Sequence, residues 1–289
     1  MSNVMKDAVV TMEEVAGRTL RVARWRLEDK SEHPPILFFN GIGANIEAVA
    51  PLTQAMSERG FIMFDMPGTG ESPDPVIPYN PFTMSWTAAE LLGRFGLGEV
   101  DVMGVSWGGA MAQHFALQHP ARTRRLVLIA TTPGMAMVPG NPAAFTKMAN
   151  PRRYIDPEFM NEHFATLYGG ADADGSAHQK DSHIGRLKPP SPRGYMYQLL
   201  CMMGWTSLPA LPFLKKETLI MMGEDDQIVR PINGKILKAM MPNAKLQMFE
   251  GGGHLFLLTH ADESVAAIRE FLDAPETKSE KTRTSAFAA

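Results

Sequence analysis

Among the 289 residues there is a single cysteine, Cys201. An internal disulfide is therefore excluded, and the composition suits a reducing compartment. No stretch reaches the ~20 apolar residues that a membrane-spanning helix needs. The first twenty residues hold three acidic side chains and no apolar run long enough for a secretion signal. An excess of one charge is missing too. The 28 Lys and Arg against 31 Asp and Glu leave a formal net charge of −3, which offers no footing for nucleic acid or an anionic membrane. No Cys/His cluster has metal-ligand spacing, and Gly68-Thr69-Gly70 lacks the third glycine and helix start of a dinucleotide site. These absences predict a soluble, cytoplasmic protein that uses no metal and no cofactor. What is present is ordinary for a globular enzyme: 45% hydrophobic and 20% charged residues, in a chain long enough for one sizeable core. Methionine, at 21 residues, is the unusual count.

Chemistry first shows between Val100 and Gln113. The β-branched apolar run 100–105 predicts a short buried strand, and 110–117 predicts a helix. Between them stands Gly104-Val105-Ser106-Trp107-Gly108, a G-x-S-x-G pattern at a strand-to-helix turn. A serine there is pushed above the sheet edge, and glycines two residues either side let strand and helix approach without a Cβ clash. The helix behind Ser106 aims free N–H groups and its positive dipole end at any oxyanion formed there. A structural Gly-rich turn is the plain alternative.

Strands are expected at 8–12, 19–26, 36–39, 61–64, 100–105, 125–130, 218–222 and 245–249, the first two joined by a Gly17-Arg18 turn. Helices are expected near 46–59, 82–95, 232–241 and 261–272. The alternation of strand and helix argues for an α/β fold: a mostly parallel central sheet with helices on both faces. It stops between 132 and 213, where Pro, Gly and short helical stretches at 141–149 and 157–168 predict an inserted helical cap. The expected organisation is a core at 1–131, the cap at 132–213, more core at 214–273, and a disordered Ser/Thr/Lys/Glu-rich tail at 274–289.

A serine hydroxyl needs a base within hydrogen-bond reach, itself oriented by a carboxylate. Two loops after later strands supply them: Gly223-Glu224-Asp225-Asp226 and Gly251-Gly252-Gly253-His254. His254 is the one histidine that combines a post-strand position with a Gly-rich approach. His114 and His119 flank a helix, and His163, His178 and His183 fall in the cap. Asp226 is chosen as the acid because it sits furthest into its loop, before the apolar Ile228-Val229; Asp225 is the rival. The expected oxyanion hole is the backbone N–H of Trp107 with that of Ile42, from the loop after strand 36–39.

Together these residues resemble the α/β-hydrolase superfamily, and Asp65-Met66-Pro67-Gly68-Thr69-Gly70-Glu71-Ser72 is similar to its D-x-P-G-x-G-x-S loop. A narrower resemblance is to the intracellular depolymerases of medium-chain-length polyhydroxyalkanoates. It rests on segments 39–45, 104–110, 137–140, 151–154, 167–170, 204–207 and 253–257, several of them in the cap. It implies a serine hydrolase of storage polyesters of 3-hydroxy fatty acids, working at a polymer granule surface with Ser106, Asp226 and His254 as triad. Gln227, Arg230 and the polar segment 171–188 depart from the family pattern, beside the site or in the cap. They bear on the substrate, for which a small-molecule carboxylesterase or a C–C bond hydrolase of diketones is the alternative; a binding protein on a hydrolase scaffold is a third. The Met- and aromatic-rich segment 135–203 predicts an apolar channel matched to medium-length acyl chains, besides a core for the cap itself.

Overall fold

The computed structural model describes residues 5–27, 31–150, 152, 156–168, 185–186 and 188–275. The tail beyond 275 and the Gly/Asp-rich piece 169–175, with most of segment 171–188, lie outside the described residues. Eight strands form one sheet: β1 (Ala8–Val15), β2 (Arg18–Trp25), β3 (Ile36–Phe39), β4 (Phe61–Phe64), β5 (Val100–Val105), β6 (Thr123–Ile129), β7 (Thr218–Gly223) and β8 (Ala244–Phe249). Their order is β1-β2-β4-β3-β5-β6-β7-β8. The pairs β1/β2 and β2/β4 are antiparallel and the other five parallel.

Strands β3 and β4, and the stretches 126–129 of β6 and 219–222 of β7, read as continuous apolar runs because both faces are covered. Leu37, Phe39, Leu126 and Leu128 point to one side, against α2 (Pro81–Arg94) and α3 (Trp107–Gln118). Their neighbours Ile36, Phe38, Val127 and Ile129 point to the other, against α1 (Ala50–Ala55) and the last helix, α8 (Ala261–Asp273). Each such side chain, fully buried, contributes roughly 1.5–3 kcal/mol. Helix α7 (Ile232–Met240) covers the first face beside β7 and β8, through the buried Leu237.

Two local expectations need correction. The β1–β2 turn lies at Ala16-Gly17, both with positive φ (48° and 71°), as a two-residue hairpin requires. The helix expected over 46–59 is instead a 3₁₀ turn, Ile46–Ala48, and the six-residue α1. Pro51 has no N–H to donate back one turn, so the helix restarts there.

Between β6 and β7 come α4 (Pro142–Ala149), α5 (Pro157–Tyr168) and α6 (Pro192–Met202), with no strand among the described residues. The two ends of this insertion meet at a bridge between Gly134 and Thr206. Gln113 of α3, fully buried, clamps both ends: it donates to the Thr132 carbonyl (3.0 Å) and accepts from the Ser207 hydroxyl (2.7 Å). The chain runs outward from β3 to β4, then returns past β3 to β5. That reversal opens a crevice at the strands' C-terminal ends, where an α/β sheet presents its site.

Candidate active site

Ser106 stands in this crevice, between β5 and α3, with φ 54° and ψ −121°. Such a conformation in a residue with a Cβ costs on the order of 1–3 kcal/mol and persists only where its surroundings hold it. Here its N–H donates to the Ile129 carbonyl at 2.8 Å. Its carbonyl accepts from Gly109 N (2.9 Å) and the Thr131 hydroxyl (2.7 Å). The flanking glycines are obligatory. A Cβ on Gly104 would lie 2.2 Å from the Gly108 carbonyl oxygen, and one on Gly108 would lie 2.1 Å from that of Phe39.

His254 follows β8, and its Nε2 lies 3.1 Å from Ser106 Oγ. Its Nδ1 lies 2.7 Å from Asp226 Oδ2. The other oxygen of Asp226 accepts from the backbone N–H groups of Ile228 and Val229, each at 2.8 Å. Asp226 and His254 are both buried, whereas Asp225 is exposed. The loops carrying them are pressed together: a Cβ on Gly223 would sit 2.3 Å from the Gly252 carbonyl oxygen. A carboxylate accepting from Nδ1–H leaves Nε2 as the acceptor facing the serine hydroxyl, which is the tautomer that proton abstraction from Ser106 requires.

The loop after β3 runs directly past the serine. A Cβ on Gly41 would be 3.9 Å from Ser106 Cβ, and Ile42 comes next. Trp107, the other expected oxyanion donor, is the first residue of α3. Residues 36–268 match the model of the alpha/beta hydrolase family. The chain belongs to the α/β-hydrolase family. It is 40% identical over 244 residues to a poly(3-hydroxyalkanoate) depolymerase of Ectopseudomonas oleovorans, covering 82% of this chain and 84% of that protein. A 2-hydroxymuconate semialdehyde hydrolase of Pseudomonas sp. (strain CF600) is 28% identical over 275 residues, covering 89% of this chain and 93% of that one. Among solved structures, the enol-lactonase from Burkholderia xenovorans LB400 superposes with a TM-score of 0.78 over 91% of this chain and 100% of that chain; at 19% identity it shares the fold.

Within this hydrolase the D-x-P-G-x-G-x-S loop has a positional task. Asp65, buried beneath it, accepts from Arg21 Nη1 (3.1 Å), Ile46 N (2.8 Å) and Glu71 N (3.2 Å). It thereby ties this loop to the chain just after the Ile42 loop. Burial pushes the Asp65 carboxyl up to about 6. Gly70 has φ 56°, and a Cβ on it would lie 2.1 Å from the Asp65 carboxylate.

Some features are not where the sequence puts them. His114 lies inside α3 rather than beside it; burial lowers its pKa, its Nδ1 accepts from the Trp205 indole (3.0 Å), and its Nε2 faces Gln118 Oε1 (3.0 Å). Two further residues border the site. Tyr168 receives the backbone N–H of His254 at its carbonyl, and its ring lies within 14° of parallel to the imidazole. Gln198 of α6 accepts from Gly43 N at 2.7 Å through its side chain, and from the Trp107 indole N–H at 3.1 Å through its carbonyl. The available signal was its spacing: Gly194, Gln198 and Cys201 make up the buried face of α6, an odd place for an amide. No group of three metal-ligating side chains and no helix long and apolar enough to cross a membrane occurs among the described residues.

Proposed function

We propose that this α/β hydrolase cleaves carboxylic esters through an acyl-serine intermediate, and that its substrate is a poly(3-hydroxyalkanoate) of medium chain length inside the cell. The observation that carries the chemistry is the hydrogen-bonded line Ser106–His254–Asp226, at 3.1 and 2.7 Å. Ser106 Oγ attacks the ester carbonyl carbon as its proton passes to His254 Nε2. The oxyanion so formed is held by the Ile42 and Trp107 backbone N–H groups. Collapse breaks the C–O bond, and the leaving alkoxide takes the proton from His254. Water, deprotonated by the same nitrogen, then releases the acid and restores Ser106. Asp226 holds His254 in one tautomer throughout.

The substrate rests on the depolymerase relative and on the surface of residues 132–213, which we assign as a cap. Met196, Leu199 and Leu200 of α6, with Met203 just past its end, are 55%, 49%, 39% and 68% exposed. Uncovered apolar side chains of this kind suit contact with a condensed apolar polymer. A fluorophosphonate probe should label the wild type and leave Ser106→Ala unlabelled. Purified enzyme should release 3-hydroxy acids from a medium-chain polyester suspension. Equal labelling of both proteins would sink the serine mechanism. Turnover of soluble octanoyl esters without release from polymer would move the function to a small-molecule esterase, and turnover of ring-cleavage diketones alone to C–C hydrolysis.

A further inference from the structure

Gln198 is fully buried, and its side-chain amide is only half used. The group facing it from Gly43 is an N–H donor, which fixes Oε1 as the acceptor and leaves Nε2 as the free end. Among the described residues Nε2 has no hydrogen-bond partner. Leaving a buried amide donor unpaired is costly, and it is tolerated where a ligand completes it. The place is specific. Gly43 is the residue after Ile42, and the Gln198 carbonyl is bonded to the Trp107 side chain, so α6 spans the two segments assigned to the oxyanion hole. In a 3-oxygenated acyl group the second oxygen is borne by the second carbon beyond the ester carbonyl carbon. Inside a polyester that oxygen is itself esterified, so it carries no proton and can only accept.

We propose that Gln198 Nε2 donates to the 3-oxygen of the bound acyl group, making Gln198 the residue that selects 3-oxygenated over plain acyl chains. This rests on the ester-hydrolase function proposed above. The test compares kcat/KM for the nitrophenyl esters of 3-methoxyoctanoic and octanoic acids, whose 3-oxygen, where present, can only accept. The wild type should prefer the methoxy ester about tenfold or more. In Gln198→Met, which has no donor, the ratio should fall to about one. In Gln198→Glu, assayed at pH 9 so that the buried carboxyl is ionised, an acceptor for Gly43 N–H remains while the donor is lost, and the ratio should fall to one or below. Because both esters are compared in the same protein, a ratio is indifferent to any general loss of folding or oxyanion geometry. Should the methionine variant fail to fold, the glutamate variant carries the comparison. A wild-type ratio near one, or a preference that survives in the variants, overturns the inference alone. A wild type that hydrolyses neither ester overturns the ester-hydrolase function and this selectivity with it.

Discussion

Replacing Asp226 by asparagine should do more harm than the loss of one charge suggests, because the surroundings dictate how the amide must sit. One carboxylate oxygen takes two backbone N–H groups, from Ile228 and Val229, and the other takes His254 Nδ1. An amide has one oxygen, and the two fixed donors claim it. Its NH2 must then face Nδ1, which becomes an acceptor, and the imidazole proton moves to Nε2. There it points at Ser106 Oγ and can no longer remove its proton. The wrong tautomer of a histidine base lowers kcat by ~10⁴, or about 5 kcal/mol of barrier at 1.36 kcal/mol per decade. Stability should fall far less than the barrier rises, by ~1–2 kcal/mol, since both backbone hydrogen bonds persist in neutral form. The assay is stopped-flow release of nitrophenolate from nitrophenyl octanoate, with a melting curve on the same sample. Asp225→Asn, at an exposed position, should stay within about twofold of wild type. An Asp226→Asn enzyme within tenfold of wild-type kcat, or an Asp225→Asn enzyme reduced a thousandfold, would refute the tautomer argument.

Gly104→Ala places a methyl group against the backbone of Gly108 and Gly109, neither of which can step aside; it should cost about 2 kcal/mol or more, read as a Tm several degrees lower or as insolubility, and an unchanged Tm would count against the packing described. Asp65 binds its proton more tightly folded, at about 6, than unfolded, near 3.8. Between those pH values the folded state holds more protons, so this group's contribution to stability falls as pH rises from about 4 to 6, by up to about 3 kcal/mol. The stability difference between wild type and Asp65→Asn, from urea titrations at pH 4, 5 and 6, should shift in that sense; a pH-independent difference would contradict it. Burial pushes the Cys201 thiol up to about 12, so a maleimide at pH 8 should react slowly with native protein and rapidly in guanidinium; equal rates would mean that this face of α6 is not buried.

The inner strands β3, β4, β6 and β7 were legible because a parallel strand buried on both faces carries an unbroken apolar run, here ILFF, FIMF, LVLI and LIMM, and few other structures put four such residues in a row. The shortening of α1 was legible in principle, from Pro51, but helical periodicity on either side of it outweighed that one missing donor. Ser106, Asp226 and His254 were legible as candidates because each follows a strand directly, where an α/β sheet leaves its loops. The structure brings these three to hydrogen-bonding distance of one another. Gln198 was not legible. Its partner, Gly43, is 155 residues away, and nothing in the local pattern of a helix says which loop its buried face will meet. The same holds for Asp65, whose motif is visible while its ties to Arg21 and Ile46 arise only from the packing of three separate segments.

The position of β8 has a consequence for the order in which the molecule gains and loses competence. This strand is the outermost of the parallel set, paired on one side to β7 alone and only partly buried, and it is the strand that delivers His254. Of the three proposed triad residues, His254 is the last in the chain and so the last to be synthesised. The chain is thus chemically silent until its last strand docks. On heating, a margin held on one side opens before a centre held on both. Hydrolase activity should therefore fade reversibly a few degrees below the main calorimetric transition: the enzyme switches off at its border while the interior of the sheet is still intact.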